Sequence, residues 1–184
     1  MKTWKVDPAH ALVEFTVPHM VIGEVSGIFR HFDGTLKVPA LEFDKAQLSA
    51  RIETASIFTN NEARDEHLRS ADFFDAAHFP YMTFESNRFV PKGNRPYDIE
   101  GTLTIKGKAL PFTLHAQYRG LQVDPWGNDR LGFMAEGKLN RLLWGLKWNN
   151  LLQNGAYLIG HEVCLRIVCE LVTEEAYQKL FAQT

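Results

Sequence analysis

The stretch GTLTIKGKALPFTLHAQY, residues 101–118, alternates apolar and polar side chains on both sides of a Lys-Gly-Lys join. Leu103 and Ile105 share a face on the first arm; Leu110, Phe112, Leu114, Ala116 and Tyr118 share one on the second. A period of two is that of a β-strand with one buried face, and a short glycine-containing join makes the two arms antiparallel neighbours. The same alternation recurs along the chain. ALVEFTV (11–17) sets Val13, Phe15 and Val17 against Leu12, Glu14 and Thr16, and QLSARIETA (47–55) sets out Leu48, Ala50, Ile52 and Thr54. GTLKV (34–38), LGFMAEGKL (131–139) and YLIGHEVCLRIVCELV (157–172) continue the pattern. Turn chemistry at DPAH (7–10), HFDG (31–34), PKGNRP (91–96) and DPWGND (124–129) separates these runs. The expectation is an all-β chain of about eight to ten mostly antiparallel strands.

So long a sheet must curl up or fold over to hide its apolar face, as a barrel or a sandwich. Thirteen Phe, five Tyr and four Trp supply large side chains that an eight-stranded barrel can use to fill or line its interior, a mild preference for the barrel. The length of 184 residues suits one domain with a sizeable core. With 45% apolar and 23% charged residues the chain is globular rather than disordered. A net charge of -2 without any Lys/Arg block argues against a nucleic-acid partner. No apolar run has the length of a bilayer-spanning helix, so no stable membrane insertion is expected. The opening MKTWKVDPAH lacks an apolar signal region; as it stands the chain is expected to be cytoplasmic, or periplasmic if this is a processed form. Cys164 and Cys169, five apart in one strand, face opposite sides and are expected to be free thiols, with Cys169 continuing the inward row Val163, Leu165, Ile167.

Helical signals occur twice. In TNNEARDEHLRS, Thr59 and Glu62 have capping-box spacing, which predicts a short helix over about 60–69. In TEEAYQKLFAQT, Thr173 as N-cap, acids in the first turn and a late Lys179 predict a C-terminal helical extension over 173–184 beyond a domain of 1–172.

The polar run that begins within the first of these, with Asp65, His67, Asp72, Asp75 and His78, invites a catalytic interpretation. Asp65 and His67 do not share a helix face, and Asp72 and Asp75 flank two phenylalanines, so surface pairing such as Glu62 with Arg69 is the better use of these charges. No HxH, HExxH, GxSxG or phosphate-loop pattern is present, so neither a metal site nor an enzyme is expected. His10 with His19 is the one convergence left open for a metal. His19 with Asp65 or Asp72 is the polar cluster that an enzyme acting inside such a barrel would need. Further on, RLLWGLKWNN (141–150) places Leu142, Trp144, Leu146 and Trp148 at alternate positions, as on one face of a strand. These rings can line a pocket mouth or pack as ordinary core.

Several ordered motifs resemble one family, the YceI-like lipid-binding proteins of lipocalin-like fold. They are WKVDPAHALVEFTVPH (4–19), VSGIFRHFDGTL (25–36), NNEARDEHLRSADFFDAAHFPYMTF (60–84), GTLTIKGKALPFTL (101–114), and DPWGNDRLGFMAEGKLNR (124–141) with Gly145, Leu146 and Trp148 beyond it. The resemblance covers about residues 3–172. Leu142 and Leu143 depart from it, standing where relatives often have a small polar residue and Asp. The resemblance implies an extended eight-stranded antiparallel β-barrel, partly closed by the short helix, around a long apolar tunnel. It also implies an isoprenoid or quinone-type lipid as ligand, or another amphiphile such as a fatty acid or fatty amide. It further implies no cofactor, association as a homodimer in some members, and a link to transport or stress responses. On this basis the expected ligand-binding residues are Phe15, Val17, Met20, Phe29, Leu48, Ile52, Phe73, Phe74, Phe79, Phe84, Phe133, Trp144 and Trp148. The alternatives are a filled-core structural stress protein and, last, a lipid-modifying enzyme.

Overall fold

Strand β1 (Lys2–His19) is the seam on which the molecule closes. In the computed structural model, which describes residues 1–181, the main sheet continues through β3 (Phe32–Val38), β4 (Gln47–Glu53), β6 (Tyr81–Pro91), β7 (Pro96–Ile105), β8 (Lys108–Val123), β9 (Asp129–Asn140) and β10 (Glu162–Thr173). β10 pairs back onto β1, from Trp4↔Thr173 to Thr16↔Cys164, so eight antiparallel strands form a closed barrel without a free edge. The expected all-β barrel is therefore the observed fold. Two further strands, β2 (Gly23–Phe29) and β5 (Ile57–Phe58), extend one end of it along the second half of β1.

β1 is long enough to pair with β3 and then β2 along one edge while β10 follows the other, and it is bent on the way. Its register against β10 slips between Val6 and Ala11, placing the DPAH segment in a bulge. Asp7 within the bulge is buried, yet it is not orphaned. It accepts from the Ala9 amide at 2.9 Å and from Arg130 Nη1 at 2.7 Å, and it bonds His10 Nδ1 at 2.9 Å. Burial pushes its carboxyl up, but these bonds win and hold it below the usual carboxylate range. Arg130 also reaches Asp124 and Glu170, at 3.0 Å each, tying the bulge to β9, β10 and the 124–128 turn. Burial likewise raises Asp124, and bonds from Asn128, Arg130 and Trp126 outweigh it, bringing its pKa down to about 2.

The expected inward rows form as alternation dictates: Val13, Phe15 and Val17; Leu48, Ala50 and Ile52; Phe112, Leu114 and Ala116; Val163, Leu165, Ile167 and Cys169. Cys164 points outward and both cysteines are free thiols. Glycines are needed where rings cross the barrel. Gly27 faces Phe15 across β1–β2, and a Cβ there would collide with Phe15 Cζ, so this residue makes space for the ring.

Helix α1 (Glu62–Arg69) occupies the expected place, with a corrected cap. Asn61, not Thr59, is the N-cap, accepting from Arg64 N at 3.0 Å; Thr59 instead donates its amide and hydroxyl to Asp65. Arg69 pairs with Glu62 on the surface at 3.1 Å, as expected. α1 and the turn after it bridge one end of the barrel, with Arg69 Nε donating to Ala55 O on one side and Lys106 Nζ donating to Ala71 O on the other. Helix α2 (Glu174–Phe181) follows β10 and is capped by Thr173, which accepts from Ala176 N at 3.2 Å. The remainder of the expected extension, 182–184, lies outside the described residues.

One expected strand is absent. Residues 141–144 form a 3-10 turn capped by Asn140, and Gly145 follows in the left-handed conformation at φ 82°. The alternation of Leu and Trp through 142–148 therefore does not define a strand face.

Candidate functional site

The barrel encloses an apolar cavity of about 430 Å³, a size typical of small-molecule sites. Its wall comes from every barrel strand. The inward row of β10 from Val163 to Leu171 covers eight residue steps, roughly 26 Å along the strand and about 20 Å of depth at ordinary barrel tilt. At the lower end the β3–β4 connection inserts Phe43, only 4% exposed, against Phe133 (5.3 Å between ring centres), Tyr118 (4.8 Å) and Tyr97 (5.6 Å). This cluster is a plug, so the cavity does not run through the molecule.

The upper end is framed by α1, the 146–150 segment and the 157–160 segment. Arg64, His67 and Leu68 share one face of α1 and line the cavity together. His67 stands edge-on to Trp148 at 4.5 Å and to Phe73 at 5.1 Å, and its Nε2 bonds Asp72 Oδ2 at 2.8 Å. Phe74 continues the wall to Phe29 at 5.8 Å, and Phe29 to Phe15 at 5.7 Å. Opposite α1, buried Arg141 holds the loops in place. Its guanidinium donates to the carbonyls of Gly160 (2.8 Å), Leu146 (2.5 Å), Trp148 (3.0 Å) and Ile159 (3.4 Å). Burial lowers the pKa of this arginine from its ordinary value.

Of the expected ligand-binding residues, Phe15, Val17, Phe29, Leu48, Ile52, Phe73, Phe74, Phe84, Phe133 and Trp148 lie on the cavity wall. Met20, Phe79 and Trp144 do not. Met20 sits on the exposed β1–β2 turn, and its amide donates to Leu158 O at 2.8 Å. Phe79 lies against Gly107 at the β7–β8 turn. Trp144 is buried against Phe112, with Nε1 donating to Leu103 O at 3.0 Å, because the 3-10 turn swings it away from Trp148. Among the residues missed from sequence are Arg64, His67 and Arg141 at the mouth and Phe43 at the plug. A lone Phe43 in the polar LEFDKA segment was a signal for a plug; Arg141 in NRLL carried none.

The catalytic constellations are not assembled. His19 lines the cavity, but Asp65 and Asp72 do not; they are engaged by Thr59 and His67. His10 is bound to Asp7 in the bulge, nine residues before His19 on the same strand, roughly 30 Å at full extension. Among the described residues no cluster of His, Cys, Asp and Glu is arranged to hold a metal ion.

A closed antiparallel barrel around a one-ended apolar cavity defines a ligand-enclosing protein of lipocalin-like architecture. The sequence gives the particular branch: the YceI-like domain model matches residues 4–171, and the chain belongs to that family. It is 40% identical over 138 residues to the protein YceI of Salmonella newport, covering 74% of this chain and 72% of the relative. Among solved structures it is similar in fold to BcnA of Burkholderia cenocepacia, with TM-score 0.78, 22% identity, and 90% and 98% of the two chains covered. It is also similar to a polyisoprenoid binding domain from Saccharophagus degradans, with TM-score 0.64, 13% identity, and 94% and 99% covered.

Proposed function

We propose that the protein binds one long-chain amphiphile, isoprenoid or acyl, with its tail in the barrel and its headgroup at the α1 end, and stores or carries it without chemistry. The observation that carries this is the deep apolar cavity closed at one end by Phe43 and edged at the other by His67, Phe73 and Trp148. Burial of about a dozen methylenes contributes roughly 10 kcal/mol, at about 0.8 kcal/mol each. That competes with an association cost of about 4–15 kcal/mol, so a long tail is needed for useful affinity and a short one is insufficient. The likeness to a domain described as polyisoprenoid-binding speaks to the barrel that such a ligand uses. The family membership adds weight to a lipid ligand.

The test is organic extraction of the purified protein followed by mass spectrometry, together with uptake of a fluorescent long-chain probe by protein stripped of lipid. A co-purified lipid, or saturable uptake near one per chain, is the expected result. No extracted lipid and no saturable uptake would refute the proposal.

A further inference from the structure

The charged groups at the cavity mouth are unbalanced. Apart from the Cys169 thiol, five residues with titratable side chains border the cavity: His19, Asp33, Arg64, His67 and Arg141. The Asp33 carboxylate is exposed and already paired outside with Arg51 at 2.9 Å. His67 has its own carboxylate in Asp72. Arg64 and Arg141 have none: among the described residues, no Asp or Glu oxygen lies within 4 Å of either guanidinium. Arg64 Nε and Nη2 donate to the hydroxyl and carbonyl oxygens of Thr59, each at 2.7 Å, and its Nη1 has no protein partner. Arg141 is 3% exposed, and its acceptors are four neutral carbonyls, the one on Nη2 being the longest at 3.4 Å. Carbonyl bonds satisfy the Arg141 N–H groups but leave its formal charge uncompensated, an arrangement that costs free energy in a low-dielectric site; Arg64 has a carboxylate, that of buried Asp65, only through the bridging Thr59 hydroxyl. The two arginines line the same cavity and are linked around its rim through His67 and Trp148. Arg64 is one helical turn from His67, His67 abuts Trp148, and the Trp148 carbonyl is held by Arg141.

We infer that the amphiphile bound by this barrel carries an acidic headgroup, a carboxylate or a phosphate monoester, which sits between Arg64 and Arg141 and supplies the missing negative charge. The inference rests on the lipid-binding proposal and deepens it. It sets the ligand class apart from neutral quinones, alcohols and amides of equal tail length. Charge-assisted bonds from guanidinium groups to carboxylate or phosphate are stronger than neutral ones, and the half-buried mouth screens them less than water does. Arg141 also clamps the two loops, whereas Arg64 is half-buried on the surface of α1 and can be changed with less risk to the fold.

The experiment uses lipid-stripped full-length protein and two matched series. One is hexadecanoic acid, hexadecanamide and hexadecanol; the other is geranylgeranyl monophosphate and geranylgeraniol. Competition against a fluorescent probe gives the affinities, and Arg64→Gln and Arg141→Lys are compared with the parent after near-UV circular dichroism confirms native packing. The expected result is an acid bound at least tenfold more tightly than its neutral partners in one series or both. The series in which this happens distinguishes carboxylate from phosphate. In Arg64→Gln the ratio falls to within about threefold. Equal affinity for acidic and neutral heads, or a preference untouched in both variants, overturns the inference while leaving lipid binding standing. Failure of every compound to bind overturns the lipid-binding proposal as well.

Discussion

Arg141 and Asp124 show how a polar residue can be indispensable in a barrel built from hydrocarbon. Among the described residues Arg141 is the donor that satisfies several carbonyls at the cavity mouth, so Arg141→Met leaves the oxygens of Leu146, Trp148 and Gly160 without that partner in a buried setting. At about 1–3 kcal/mol for each such group, and with some relief from removing a buried charge, the expected net loss is about 3 kcal/mol in urea unfolding. Asp124 acts through pH. Its folded pKa of about 2 lies below the unfolded value of about 3.9, so its contribution is complete above pH 4 and is lost as pH falls toward 2. The stability gap between the parent and Asp124→Asn should therefore be constant near neutrality and close between pH 4 and pH 2, as followed by acid titration of the fold. Neither role was visible in sequence. An arginine among leucines and an Asp in a DPWGND turn have the same composition whether they are buried and bonded or solvated.

At the scale of elements, alternation identified the strands because each has one face in the cavity and one in water, as residues 110–118 illustrate. It failed at 141–148 for a physical reason. Leu and Trp at every second position fit a strand, but Asn140 caps a tight turn and Gly145 takes a left-handed conformation, and both are local backbone preferences that hydrophobic periodicity ignores. The β1 bulge inverts the phase of the alternation, since Val6 before it and Ala11, Val13 and Phe15 after it all line the cavity. The β1–β2 turn carries an avoidable cost. Met20 (φ 54°) and Val21 (φ 67°) are both left-handed, and Val21 is β-branched. Two such residues in succession are the geometry that Asn-Gly supplies in a tight hairpin. Replacing the pair, Met20→Asn with Val21→Gly, should raise stability by about 1 kcal/mol, read as a higher thermal midpoint. Any greater function of this apolar tip would show as a loss of lipid exchange in a protein that has become more stable.

At the scale of the whole molecule, much of the inner wall was legible because the lining follows from the alternation of the strands; closure did not follow from that pattern, which suits a sandwich as well, and was implied by the resemblance of the ordered motifs. The ends of the barrel were not legible. Which residues plug, clamp or frame an opening depends on loops meeting across long sequence distances: Phe43 meets Phe133, and His67 meets Trp148. The Phe43 plug has a kinetic consequence. With one end blocked, a tail must go in first and come out last, so departure is a withdrawal along the full depth of the barrel rather than a passage through it. Each added methylene should slow dissociation by about fourfold, the rate equivalent of about 0.8 kcal/mol, until the tail tip reaches Phe133. Beyond that length the surplus protrudes and the rate should level off, which stopped-flow release of acyl chains of increasing length would reveal. In Phe43→Ala the plateau should shift to longer chains, so the position of one side chain sets the longest tail that the barrel can measure.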